Sequence, residues 1–202
     1  MQPLHPAEVR VLGALLEKDL TTPEYYPLTL NALQNACNQK SSREPITAYD
    51  EATVHQAVAL LQQKGLAHKV SGAGHRVEKY GHHLGEKLNL GRRELALLAV
   101  LMLRGPQTVG ELRGRTERMH EFSDMEEVER VLEILATRDP DPLVAPASRG
   151  RWVHLWHEHT DLPEPANPAG PGRSDLAQRV ETLERELADL KQQFDTLRRQ
   201  LE

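Results

Sequence analysis

The sequence predicts a mainly α-helical fold of the α+β class, in which small β-hairpins accompany the helices. Charged residues make up 27% of the 202-residue chain and aromatic residues only 4%, which is typical of helices packed through aliphatic side chains. Apolar residues recur at helical spacing along most of the chain, while two short stretches alternate between apolar and polar residues as strands do. The length allows one or two domains with a buried core.

The first two helices are predicted by apolar residues that fall on one side of each helix. The segment HPAEVRVLGALLEKDL carries the first such stripe. The two prolines of the following segment, TTPEYYP, indicate a loop. In the second helix Leu30, Leu33 and Cys37 share a face, and Thr29 is suited to cap the N-terminus.

A third helix and a hairpin complete the first half of the chain. The segment TAYDEATVHQAVALLQQKG has a helical stripe, and Thr47 and Asp50 have the spacing of a capping box. Gly65 is suited to end this helix. Two alternating runs then flank residues 71–74, which predicts a β-hairpin. Three helices followed by a hairpin is the order of a winged helix.

The same order of elements returns in the second half. Val128, Leu132 and Leu135 repeat the apolar stripe of the third helix at one constant offset. Ser123 and Glu126 repeat the capping-box spacing, and the segment LVAPASRGRWVHLWHEH predicts a second hairpin. The sequence therefore predicts tandem winged-helix units.

The predicted domain organisation follows from this repeat and from the composition of the C-terminal part. We predict winged-helix domains at 1–86 and 87–159, a Pro- and Gly-rich linker at 160–173 and a coiled-coil helix at 174–202. The last segment keeps an unbroken heptad pattern with leucine at every d position, which predicts a homodimer. A single helix folded back onto its own chain is the alternative. The predicted dimerisation residues are Leu176, Val180, Leu183, Leu187, Leu190, Phe194, Leu197 and Leu201.

The stretch EKDLTTPEYYPLTLNALQNACNQKSSREP, with GHRVEKYGHH further on, resembles the YceH-like family of uncharacterised bacterial proteins. The resemblance covers roughly residues 4 to 159 and is looser in the second half. It implies two winged-helix domains and implies neither a reaction nor a ligand. The residues that fit the family's pattern are Thr21, Thr22, Pro23, Tyr26, Pro27, Leu28, Asn31, Leu33, Ala36, Cys37, Asn38, Gln39, Lys40, Ser41, Ser42, Arg43, Pro45, Arg76, Lys79 and Tyr80.

A DNA-binding surface is predicted in the first domain. A winged helix can place its third helix in the major groove and its hairpin on the DNA backbone. We expect the loop before the third helix, the outward side of that helix and the hairpin to form one weakly basic face; a merely solvated surface is the alternative. The candidate DNA-contacting residues are Lys40, Ser41, Ser42, Arg43, His55, Gln56, Gln63, Lys69, His75, Arg76 and Lys79.

The third helix of the second domain has a different charge. Over residues 123–138 it carries five acidic residues and only two basic ones, Arg130 and Arg138. A surface of this kind repels phosphate within the Debye length of about 8 Å. We therefore expect this helix to meet the first domain or a basic protein partner. For Arg113, Arg115 and Arg118 we expect pairing with its acids; contact with phosphate from the side is the alternative.

Other kinds of chemistry are not indicated by the sequence. The net charge of -5 argues against the whole molecule acting as a polyanion binder. The single Cys37 precludes an internal disulfide and lies on an apolar helix face, where a small core residue is expected. We predict no catalytic residues, no cofactor and no metal site, and we interpret the histidines at 154, 157 and 159 as ordinary surface or stacking residues. No membrane span or leader is recognised, so a cytoplasmic location is expected.

Two hypotheses about function follow. The first is a DNA-binding winged-helix protein, such as a transcriptional regulator, that acts as a dimer with domain 1 facing double-stranded DNA. The second is a non-catalytic protein-interaction module that uses the winged-helix domains and the coiled coil without binding DNA. The fold alone does not choose between them.

Overall fold

The computed structural model describes residues 2–70 and 77–157. The predicted linker, the coiled-coil helix with its dimerisation residues, and the hairpin residues His75 and Arg76 lie outside the described residues. What was predicted for them stays a prediction.

The two halves of the described chain have the same order of elements. The first half contains α1 (Pro6–Thr21), β1 (Leu28–Thr29), α2 (Leu30–Cys37), α3 (Glu51–Gln63), β2 (Ala67–Val70) and β3 (Lys79–His82). The short helix α4 (Leu84–Leu88) follows. The second half contains α5 (Arg92–Arg104), β4 (Gln107–Thr108), α6 (Val109–Thr116), α7 (Met125–Ala136), β5 (Val144–Ala147) and β6 (Arg151–His154). Each half has a three-stranded antiparallel sheet, ordered β1-β3-β2 and β4-β6-β5. The predicted α+β class with winged-helix character is confirmed.

Of the three helix caps predicted from the sequence, the structure has one as predicted and differs in the other two. Thr29 caps α2, and its hydroxyl accepts a hydrogen bond from the backbone N–H of Ala32 at 3.3 Å. The capping box expected at Thr47 is wrong, because α3 starts later and the Asp50 carboxylate caps it by accepting the backbone N–H of Thr53 at 2.8 Å. Asp124 likewise caps α7 in place of Ser123. In both helices the carboxylate stands directly before the first helical residue.

Helices α1 and α5 join the halves through one continuous hydrophobic core. Every residue of α5 from Leu95 to Leu103 is buried, so this helix is covered on all sides. Gly13 of α1 lies against it: a Cβ atom at this position would stand 3.0 Å from Leu103 Cγ and 3.0 Å from Met102 Cβ. The two helices therefore approach at a point where a side chain on α1 does not fit without movement.

Candidate nucleic-acid interface

The outward side of α3 is polar and open to solvent. His55, Gln56 and Gln63 are exposed, while Val54 and Leu61 on the same helix are buried. Because the buried positions recur three and four residues apart, the polar side chains collect on the opposite side of the helix. The structure therefore brings together the three residues of α3 that the sequence nominated for base contacts.

The hairpin next to α3 carries two of the nominated lysines, and they lie on opposite faces of the sheet. Lys69 is paired in register with Tyr80, whereas Lys79 is paired with Val70. Since successive residues of a strand point to opposite faces, these two pairs face apart. Lys69 also forms an ion pair with Glu78, which accepts a further hydrogen bond from the Tyr80 hydroxyl at 3.1 Å. Among the described hairpin residues, 67–70 and 79–82, the positive charge presented to α3 is therefore small.

An open groove of about 760 Å³ separates the first turns of α3 from the hairpin. Two carboxylates line it, and the hydrogen bonds from Lys69 and Tyr80 hold the pKa of one of them, Glu78, below its ordinary value. The full lining is Leu30, Glu51, Ala52, His55, Val77, Glu78 and Tyr80. A nucleic acid on this face would meet the neutral groups of His55, Gln56 and Gln63 and, in the groove beside them, the carboxylates of Glu51 and Glu78.

The structure corrects the role expected of Arg43. Its side chain is only 6% exposed and donates two hydrogen bonds to Glu17 of α1, Nη1 to Oε1 at 3.0 Å and Nη2 to Oε2 at 2.6 Å. Nε donates to the carbonyl oxygen of Ala36 at 3.0 Å. All faces of the guanidinium are used inside the protein, so Arg43 is not available to DNA phosphate.

The rest of the loop between α2 and α3 packs towards α5 rather than towards the hairpin. The backbone N–H of Glu44 donates to the carbonyl oxygen of Leu103 at 2.8 Å, and Arg104 Nη2 donates to the Ser42 hydroxyl at 2.6 Å. Ser41 and Ser42 line a cleft between the two halves, and Lys40 beside them is exposed. The expectation of a single face made from the loop, α3 and the hairpin is therefore wrong: the loop belongs to a different surface.

Helix α7 is acidic on its exposed side, as the sequence predicted. Glu126, Glu129 and Glu133 are all exposed. The arginines that were expected to pair with acids of α7 do not do so. Arg113 donates instead to backbone carbonyl oxygens at the end of the loop before α7, and Arg115 pairs with Glu111 of its own helix at 3.4 Å.

Neither a metal site nor a reactive thiol is found in the described part of the chain. Among residues 2–70 and 77–157, no group of three or more His, Cys, Asp or Glu side chains could hold a metal ion. Strand β6 ends at His154, so His157 lies beyond it, and Trp156 is buried as an apolar anchor. Burial raises the pKa of the Cys37 thiol to about 12.

Within residues 2–70 and 77–157 each helix is too short or too polar to cross a bilayer.

Comparison with known proteins places the chain in a family. The sequence profile of the family described as "Protein of unknown function, DUF480" matches residues 4–151, from before α1 to the first residue of β6. The chain belongs to this family. Three relatives, each named UPF0502 protein, show how close the similarity is. The protein of Solibacter usitatus is 50% identical over 204 residues, 98% of each chain. That of Opitutus terrae is 60% identical over 141 residues, covering 70% of this chain and 61% of the relative. That of Serratia proteamaculans is 46% identical over 204 residues, covering 96% and 95%. The resemblance noted from the sequence is thereby confirmed.

Proposed function

We propose that this DUF480 protein binds double-stranded DNA through its N-terminal half, with α3 in the major groove and the β2–β3 hairpin beside it. The observation that carries the proposal is the set of exposed, polar side chains without acidic groups, His55, Gln56 and Gln63, on one side of α3. Gln56 and Gln63 present both a donor and an acceptor, which suits bidentate contact with adenine in the major groove. His55 adds a ring nitrogen on the same side. A winged helix reads DNA with this helix and this face.

The contrast with α7 supports a contact through the first half. Positions 55 and 56 of α3 correspond to Glu129 and Arg130 of α7, because the buried stripes of the two helices align at a constant offset. The exposed glutamates of α7 would repel phosphate, whereas the exposed glutamines of α3 would not. We therefore infer that α3 alone enters the groove.

The charge of the interface predicts weak binding with a shallow dependence on salt. Within the described residues, Lys69 and Lys79 are the nominated hairpin cations, and Lys69 already pairs with Glu78. Each phosphate contact contributes about -0.9 to the slope of log affinity against log salt. Because the two lysines lie on opposite faces of the sheet and Lys69 is paired, we count one contact for each bound chain, from Lys79, which gives a slope of about -1. Dimerisation through the heptad segment would double the contact surface, and a regulator of transcription is the role that this arrangement suits.

The test is a titration of labelled mixed-sequence duplex with the full chain by fluorescence anisotropy, from about 50 to 200 mM salt. Lys79→Glu should weaken binding and reduce the slope by about 1. Lys40→Glu is the matched control, because this exposed lysine lies in the loop that packs towards α5. Its affinity should stay within about twofold of the wild type. No binding at the lowest salt, or equal effects of the two substitutions, contradicts the proposal.

A protein partner at α7 is a second candidate function. Ile134 is 59% exposed among the acidic residues Glu129, Glu133 and Glu126, which combines an apolar contact with negative charge. A partner with a basic surface fits this helix. Glu129→Lys with Glu133→Lys should abolish capture of such a partner, whereas Gln56→Ala should not. Unchanged capture by the charge-reversed variant counts against this candidate.

A further inference from the structure

A cleft of about 180 Å³ lies between the two halves of the protein, away from the outward side of α3. We call it the seam cleft. Helix α1 and the loop between α2 and α3 form one wall, and α5 with the end of α6 forms the other. Among its lining residues are Lys18, Ser41, Ser42, Arg104, Arg115 and Arg118.

The seam cleft has an excess of positive charge. Lys18, Arg104, Arg115 and Arg118 line it, against the single carboxylate of Glu17. Both oxygens of that carboxylate already accept hydrogen bonds from Arg43, a fifth cation behind the wall. Of the four lining cations, Arg115 has a further carboxylate within reach, Glu111 at 3.4 Å.

Several donors of the seam cleft are not used by the protein. Within the described part of the chain, neither Arg118 nor the Ser41 hydroxyl makes a hydrogen bond or ion pair. The Ser42 hydroxyl accepts from Arg104, which leaves its own hydrogen for another acceptor. Lys18 contacts Gln39 and Glu17 only at 3.5 Å. These groups can donate to a ligand without breaking an existing short bond.

Arg104 is partly removed from water and lies close to other cations. Burial, followed by the charge of Arg115 and then that of Arg43, lowers the pKa of Arg104, and the charges of Glu17 and Glu44 oppose this shift only in part. Gathering like charges in this way is unfavourable unless an anion offsets them. The walls are also fixed in place, because Arg92 of the second half donates to the carbonyl oxygen of Leu20 in the first half at 2.9 Å and to that of Met119 in its own half at 2.6 Å.

We propose that the seam cleft binds a tetrahedral oxyanion, the phosphate group of a small ligand. Guanidinium groups, an ammonium group and serine hydroxyls are the donors that such a group requires. The volume is below the roughly 300–1,000 Å³ of pockets that enclose drug-sized ligands, so it suits one phosphate group rather than a large molecule. Because both halves supply donors, the bound anion stabilises their contact. The inference does not depend on DNA binding by α3.

The first experiment is a calorimetric titration of the full chain with inorganic phosphate, with chloride adjusted to hold the ionic strength constant. We expect saturable binding of one phosphate to each chain. Arg118→Gln and Ser41→Ala should each weaken it, the arginine substitution by about tenfold or more, since a charge-assisted hydrogen bond is lost. Arg130→Gln is the matched control, an exposed arginine of α7 outside the cleft. Its phosphate affinity should not change.

Three outcomes overturn the proposal. The first is the absence of saturable phosphate binding, and the second is an equal loss in Arg118→Gln and Arg130→Gln, which would reflect net charge alone. The third is displacement of phosphate by a DNA duplex together with weaker duplex binding by Arg118→Gln, since the cleft would then hold a DNA phosphodiester. Duplex affinity unchanged by Arg118→Gln supports a small ligand. Failure of the full chain to bind any duplex removes the DNA proposal and leaves the phosphate result standing.

Discussion

Arg43 and Glu17 form a buried, bidentate ion pair that connects the loop before α3 to helix α1. The side chain of Arg43 is fully enclosed, and that of Glu17 is 13% exposed. The same guanidinium reaches back to the carbonyl oxygen of Ser42 at 2.8 Å. The pair therefore sets the position of the two serines, and with them one wall of the seam cleft.

Loss of this pair should destabilise the fold strongly. Arg43→Ala leaves the Glu17 carboxylate buried without its partner, and we expect a loss of about 3–5 kcal/mol in the free energy of unfolding. Arg43→Lys should recover only part of it, because an ammonium group cannot make two parallel hydrogen bonds to the carboxylate. Urea denaturation followed by circular dichroism measures both variants.

Lys69→Ala is the control for this measurement. It removes an exposed ion pair with Glu78, and such pairs contribute about 1 kcal/mol or less. If Arg43→Ala and Lys69→Ala lower the stability equally, the structural role assigned to Arg43 is wrong.

The Glu17 carboxyl should make the stability depend on acid pH. Burial alone raises its pKa, but the hydrogen bonds and charge of Arg43, with help from Lys18, outweigh burial and hold the pKa below the ordinary value of 4.5. A carboxyl whose pKa is lower in the folded state stabilises the protein above its unfolded pKa. That contribution should disappear as the pH falls below 4.5 towards the folded value.

Glu17→Gln tests this assignment through the shape of the pH profile. Urea midpoints from neutral pH down to about pH 3 should fall less steeply for the variant than for the wild type in the acid range. Parallel profiles, displaced only by a constant, would show that Glu17 does not contribute to the acid sensitivity.

The contact between α1 and α5 can be tested with a single methyl group. Gly13→Ala places a Cβ atom at 3.0 Å from two side-chain atoms of α5, and overpacking of this kind costs about 1–3 kcal/mol. The gain in helix propensity offsets about 1 kcal/mol of it. We expect a net loss of about 1 kcal/mol in thermal or urea denaturation.

Gly114→Ala is the same substitution in an open environment. No atom lies within 4 Å of the added methyl group, so only the propensity gain of about 1 kcal/mol should remain. Opposite signs for the two variants are expected. A stabilising Gly13→Ala would show that the helices are less closely packed than described.

Cys37 should be inert in the folded protein. Burial raises the pKa of its thiol to about 12, so the thiolate that reacts with disulfide reagents is scarce near pH 8. Labelling with Ellman's reagent should be very slow in buffer and fast in concentrated urea. All of the labelling can be attributed to Cys37, because the chain has one cysteine. Rapid labelling without urea would mean that α2 is not packed as described.

The helices and hairpins could be predicted because their apolar spacing is local. The stripe of α3 and its repeat in α7 are visible in the sequence, and so is the end of α3 at Gly65, which has a positive φ of 64°. The first residue of α3 was harder to predict from the sequence. Thr47 and Asp50 both have side chains suited to an N-cap, and only the folded backbone shows that Asp50 takes this position.

The candidate sites also differ in whether local sequence is enough to predict them. The exposed side of α3 could be read from periodicity, since it follows from the residues that are buried. The burial of Arg43 could not, because its partner Glu17 stands on another helix. The seam cleft was missed for the same reason: Lys18, Ser41, Arg104 and Arg118 come from four separate segments. From the sequence we expected Arg118 to pair with acids of α7 and Ser41 to contact DNA, so an anion site shared between them was not predicted.

The most direct test of the central claim compares α3 with α7 at equivalent positions. Duplex affinity of the full chain is measured by anisotropy for His55→Ala with Gln56→Ala, and for Glu129→Ala with Arg130→Ala. The proposal predicts that the α3 pair weakens binding by about tenfold or more, as expected for loss of base contacts, while the α7 pair leaves it unchanged. Equal affinities for both variants, or a larger loss from the α7 pair, would contradict the assignment of DNA recognition to α3.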